Sequence, residues 1–230
     1  LSQTGNSIYE GQIVRGDDAS ALVKEGTGKL TLSNTIDLKN IKISAGELAL
    51  NKAGILSSDA IVDITSQGKL SLLTGNQSIY QLLGAGQLDL GSNNLSIVTG
   101  GTFTGEISGS GKIDVDNGLF SITDRLTTPD ASFTVNANSN TSLGNNAKLT
   151  AKQLDVNGVL SLGVSGGTSA SVEARDGVNI YGTLQGGGTV TGITTVHAGA
   201  NLKPGYSPGI LTFNNGLHLT SGSITTMEIK

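Results

Sequence analysis

The chain has 230 residues, with 14 Lys+Arg against 18 Asp+Glu for a net charge of −4, and it carries 34 Gly, only 3% aromatics and no Cys. Its 36% hydrophobic content argues against disorder, and three Pro without a Gly triplet period exclude collagen. The acidic balance excludes a dedicated nucleic-acid binder, and the lack of Cys excludes disulfides, thiol catalysis and Cys-ligated metal.

In chain order the first recognition-type tripeptide is Arg15-Gly16-Asp17. Read as a loop it offers an integrin-type contact; read blandly it is a solvated turn. Then a phrase begins to repeat: Gly, any residue, and two aliphatics separated by one position. It stands at Gly28–Leu32, Gly46–Leu50, Gly68–Leu72, Gly86–Leu90 and Gly111–Val115, with looser copies at Gly158–Leu162, Gly209–Phe213 and Gly216–Leu219. The alternation is that of a strand with one buried face. Further strands are expected at Ile36–Leu38, Ile41–Ile43, Ile61–Ile64 and Leu95–Ile97, with turns at Asn117-Gly118, Asn157-Gly158 and Asn215-Gly216.

A repeat near 20 residues with uneven spacing predicts a solenoid, because stacked coils place equivalent positions in ladders that demand the same residue type. A sandwich imposes no such repetition. The expected fold is therefore all-β: a parallel β-helix of roughly eleven coils at about 4.8 Å of rise each. Its narrow interior needs few aromatics. Variable loops able to hold specificity are expected at Leu73–Leu83, Asp124–Asp130 and Asn136–Asn146.

Catalytic signals are weak. Gly163-Val164-Ser165-Gly166-Gly167 matches a nucleophile-elbow pattern, but no helical pattern follows it. His197 and His218 are the only imidazoles and lack ligand spacing, and Asp114–Gly118 is out of phase for a calcium loop. The expectation is a protein that is not an enzyme, with no cofactor, no metal and no nucleic-acid partner.

Two stretches carry a resemblance. Lys24, Gly26, Gly28, Leu30 and Leu32, followed by Ala45, Gly46, Leu48 and Leu50, resemble the autotransporter-associated β-strand repeat. From Leu184 to Ile229 the chain resembles the passenger-associated transport repeat of bacterial type V autotransporters. Its specific part is Pro204-Gly205-Tyr206-Ser207-Pro208-Gly209, a corner in which each Pro fixes φ and each Gly permits the turn. The resemblance implies a right-handed parallel β-helix organised as a passenger rod over 1–183, continuous with C-terminal coils over 184–230. It assigns Pro204, Gly205, Ser207, Pro208 and Gly209 to folding and export. It further implies export through periplasm and outer membrane, a β-barrel translocator absent from this chain, and residence at the cell surface or outside it.

On this reading the protein is a non-catalytic, virulence-type binding protein toward host cells. Its partner is a host-surface receptor or matrix protein, with self-association or a stem beneath an upstream enzyme as alternatives.

Overall fold

A computed structural model describes residues 2–163, 170–205 and 209–227. It is all-β without helix, a parallel β-solenoid of about ten turns against the roughly eleven expected. Each turn visits three faces. The first is an eleven-stranded parallel sheet, in order Ser7–Tyr9, Lys29–Leu32, Gly46–Leu50, Gly68–Leu72, Gln87–Asp89, Glu106–Ser108, Arg125–Thr128, Lys148–Ala151, Ala170–Ala174, Gly188–Thr191 and Leu211–Phe213.

The second face begins as single bridges joining Ile13, Ile36 and Leu56. It widens into strands at Gln77–Ile79, Asn94–Ile97, Leu154–Val156, Val178–Ile180, Thr194–Val196 and Leu217–Leu219. The third face runs from Ala21–Lys24 through Asn40–Ile43, Ile61–Ile64, Gln81–Gly84 and Gly100–Phe103 to Val159–Leu162, Thr183–Gly186, Asn201–Pro204 and Ile224–Thr225. Two long strands, Lys112–Ile122 and Ser132–Leu143, bend through the second and third faces without a break.

Strand alternation sends one set of side chains inward, and parallel register stacks them. Leu30, Leu48, Leu70, Leu88 and Ile107 form one ladder of the first face. All five are at most 3% exposed. The interior also takes Phe103, Phe120 and Phe133, each fully buried, with the last two tilted at 6.0 Å between ring centroids. Three of the four Phe thus serve a core otherwise filled by Leu, Ile, Val and Ala.

Where the second face turns from bridge to strand, buried Gln77 supplies what a missing strand would have. Its Oε1 accepts from the backbone N–H of Ile55 and Leu56, and its Nε2 donates to the Lys52 carbonyl at 2.6 Å. Buried backbone donors need such partners.

Several expectations shift. The phrase at Gly111–Val115 does not stack on Gly86–Leu90. Leu88 pairs instead with Ile107, while Ile113 lies on the second face between Leu95 and Phe133. Likewise Leu160 belongs to the third face, opposite Thr141. A Gly corner followed by an in–out–in strand occurs on every face, so the phrase alone does not say which one it builds. Ile36 forms isolated bridges to Ile13 and Leu56 rather than a strand.

The three expected loops are largely strand: Gln77–Ile79 and Gln81–Gly84, Arg125–Thr128, and the Asn-rich half of Ser132–Leu143. Asn, Ser and Thr there occupy the outward positions of paired strands, where polarity follows from exposure rather than from irregular backbone. The ladder also runs unbroken through Thr183–Gly186, across the 183/184 boundary.

Leu70 is fully buried between Leu48 and Leu88. Leu70→Ala is expected to cost about 2–5 kcal/mol, read from chemical denaturation. A loss under about 1 kcal/mol would mean this ladder is not tightly packed.

Candidate functional site

The glycines and lysine of the first resemblance have a physical role. Lys24 is fully buried. Its Nζ donates to the carbonyls of Glu25 and Gly26 at 2.8 Å and of Ala45 at 3.2 Å, so one ammonium ties a corner to the corner of the next coil. Burial pushes its pKa below the ordinary lysine value. Gly46 sits at φ 68°, and a Cβ there would lie 2.4 Å from the Gly26 carbonyl and 2.9 Å from Lys24 Nζ. At Gly28 a Cβ would lie 2.1 Å from the Gly5 carbonyl. The corners approach too closely for side chains, and the lysine fills the polar gap between them.

Arg15-Gly16-Asp17 is built into the first coils. The Arg15 side chain is 19% exposed, with Nη2 at 2.8 Å from Asp37 and Asp59 and Nη1 at 3.2 Å from Asp18. Asp37 and Asp59 belong to successive coils, so the guanidinium clamps three turns. The carboxylates of Asp59 and Asp37 hold its proton more firmly than usual. Asp17 closes its own turn, accepting from Ala19 N–H and Ser20 Oγ at 3.0 Å each. An integrin-type contact here requires Arg15 to exchange its three carboxylates for a partner.

In the second recognition stretch, Pro204 ends the third-face strand. Gly205 follows at φ 102° and donates to the Gly186 carbonyl, and Gly209 precedes the next first-face strand. Ser207 and Pro208 lie outside the described residues, as do Ser165 of the nucleophile-elbow pattern and Glu228-Ile229.

A second polar constellation joins residues that the sequence reading named separately or not at all. It lies on the outside of the second face, where register aligns two columns. The first is Ser78, Ser96, Asp114, Thr134, Asp155, Asn179, Thr195 and His218. Beside it, each column residue's second neighbour along the chain supplies Asp116, Asn136, Asn157, Tyr181 and His197.

The Asp116 carboxylate accepts from Ser96 Oγ and from Asn136 Nδ2, the latter at 2.8 Å. Asp155 accepts from Gln153 Nε2 and from Asn179 Nδ2, both at 2.9 Å. Because Asn179 donates to Asp155 through nitrogen, its Oδ1 is left to accept from His197 Nε2 at 3.3 Å, which assigns the proton to Nε2. The His197 ring then lies against Tyr181, with centroids 4.2 Å apart and planes at 11°. Lys112 borders this strip, its Nζ 2.7 Å from Asp114 Oδ1.

Every one of these residues was in plain view, but at outward positions where alternation predicts only polarity. Their convergence needs the register. Chemically the strip offers amides, carboxylates and one supported aromatic surface. Among the described residues no group of three or more His, Asp or Glu is placed to hold a metal ion. Comparison of the chain with protein-family models, with curated proteins and with solved structures finds no match.

Two outcomes follow. Lys24→Ala removes three hydrogen bonds to part-buried corner carbonyls and leaves a void where the side chain was fully buried; it is expected to destabilise the chain by about 1–3 kcal/mol on chemical denaturation, beyond what Lys39→Ala at the surface does. Folded-state pKa values are depressed for Asp59 by Ser57 and then Arg15, and for Asp18 by Lys39 and then Arg15. A depressed carboxylate stabilises above its unfolded value, and that contribution is lost as pH falls through the folded one. Melting curves below about pH 4 should therefore fall more steeply for the wild type than for Arg15→Gln. Parallel curves would remove the clamp from the account.

Proposed function

We propose that this chain is the β-helical passenger of a bacterial type V autotransporter and works as a non-catalytic binding rod at or beyond the cell surface. The observation that carries the reading is the corner built by Lys24, Gly28 and Gly46. It gives the residues of the β-strand-repeat resemblance a shared physical task, on a fold compatible with passenger domains. Export through an outer-membrane β-barrel and folding outside it suit a chain without Cys, whose coils add one on another.

The binding surface in this reading is the outside of the rod, where side chains are presented in columns by a rigid backbone. The partner is a host-cell surface component. Face-to-face association of rods on neighbouring bacteria is the competing use of the same columns.

The test is attachment of the purified rod to cultured host cells. Saturable binding, reduced at least several-fold when outward second-face residues such as Asp155 and Asn179 are exchanged for Ser, supports the reading. Asp17→Glu is expected to leave attachment intact, since Asp17 is engaged in its own turn. Loss of attachment in that variant alone would move the site to the Arg15–Asp17 tripeptide. Clumping of bacteria displaying the rod, with no attachment to host cells, would favour self-association instead.

A further inference from the structure

We propose that the second face carries a subsite for one sugar of an uncharged oligosaccharide, centred on the Tyr181 ring with Asn157 and Asn136 at its rim. The inference deepens the binding-rod reading and rests on it.

Tyr181 is 48% exposed although it lies on a tightly laddered face. One side of its ring is covered by His197, the next rung of the column. The other side faces the preceding rung, occupied by Asn157, which is exposed and smaller than a ring. Neighbouring rungs are about 4.8 Å apart, close to ring-stacking distance. A flat ring of ligand at the Asn157 level would therefore continue the aromatic stack that Tyr181 and His197 begin.

The platform is held in place. Gln153, Asp155 and Asn179 form a hydrogen-bonded relay that ends on His197 Nε2, and His197 in turn backs Tyr181. A ring fixed in this way loses little freedom when a ligand settles on it.

Around the open side of the ring stand groups suited to hydroxyls. The Asn157 amide makes no side-chain hydrogen bond within the described residues, and Asn136 uses its Nδ2 on Asp116 while its Oδ1 remains available. An amide that can donate and accept together matches a pair of vicinal hydroxyls. A pyranose presents such hydroxyls at its rim and C–H bonds on its face, the complement of amides beside an aromatic surface.

Charge sets the class. Among the described residues Asp114, Asp116 and Asp155 line the strip, and its lysine, Lys112, is paired with Asp114. Sulfated and sialylated chains are thereby disfavoured, and neutral sugars are not. A sugar stacked on Tyr181 lies with its ring across the rod axis, so the rest of a linear neutral glycan extends sideways over the face while the rim hydroxyls of the stacked sugar meet Asn157 and Asn136.

The experiment is saturation-transfer NMR and calorimetry on the purified chain with cellotetraose, maltotetraose and lacto-N-neotetraose, and with a heparin tetrasaccharide as the anionic control. At least one neutral tetrasaccharide is expected to bind, and the heparin fragment is not. Tyr181→Ala should weaken that binding at least tenfold, Asn157→Ala should weaken it measurably, and Tyr181→Phe should retain it. Circular dichroism unchanged in all three variants establishes that the rod is intact, as expected for exposed outward positions. No transfer to any neutral tetrasaccharide, or binding equal in wild type and Tyr181→Ala, would overturn the subsite. Host-cell attachment measured on the same proteins separates the two readings. Attachment without any neutral-sugar binding removes the subsite and leaves the binding rod standing.

Discussion

Parallel stacking in register governs this molecule. Each strand lies about 4.8 Å from the strand one coil earlier and must pair with it residue for residue. Any side chain pointing inward must therefore pack against its own counterpart, and any corner must tolerate the backbone of the corner below. Leucine on leucine satisfies the first demand, as at Leu30, Leu48, Leu70 and Leu88. Glycine satisfies the second, as at Gly28 and Gly46. The composition of the chain, rich in Gly and poor in aromatics, is the consequence of that spacing.

The same constraint organises polarity. A charged group that repeats on every rung would repel its own copies, so outward columns alternate sign or mix amides with carboxylates. On the first face Lys29, Glu47 and Lys69 follow one another in the column, with Lys29 and Glu47 in contact at 3.1 Å. On the second face Asp116 accepts from a hydroxyl and an amide of the two neighbouring coils, and Asp155 from an amide of its own coil and one of the next. Arg15 and Lys24 use the stack differently. Each sends one cation between coils, Arg15 to carboxylates of the next two at the edge and Lys24 to carbonyls of its own corner and the next. Function on such a rod is a matter of which columns depart from mere charge balance. The strip ending in Tyr181 and His197 departs furthest, because a supported aromatic surface adds nothing to balance.

The class of fold was legible because the Gly-x-Leu-x-Leu phrase returns often enough to demand stacking. Its register was not. The copy at Ile113 has the same local pattern as the one at Leu88 yet builds another face, since corner glycines and in–out–in strands are common to all three. Glu106–Ser108, which does continue the first face, holds a single buried aliphatic and gave little periodicity to read. Polar segments such as Asn136–Asn146 resembled loops because outward strand positions and loops share a composition. The polar strip of the second face was hidden for a related reason: Asp155, Asn179 and His197 are 24 and 18 residues apart, and only the coil length brings them together.

Register is also what a direct measurement can reach, since the chain has no Cys of its own. Thr127 and Thr150 are register partners on adjacent first-face strands, and Glu173 is the partner of Thr150 one coil further on. Cysteines at 127 and 150 are therefore about 4.8 Å apart at their Cα atoms, within disulfide reach, and cysteines at 127 and 173 are about twice that, beyond it. The account predicts that mild oxidation closes the 127–150 bridge nearly completely and leaves the 127–173 pair open. Ready closure of 127–173, or failure of 127–150, would contradict the stacked solenoid.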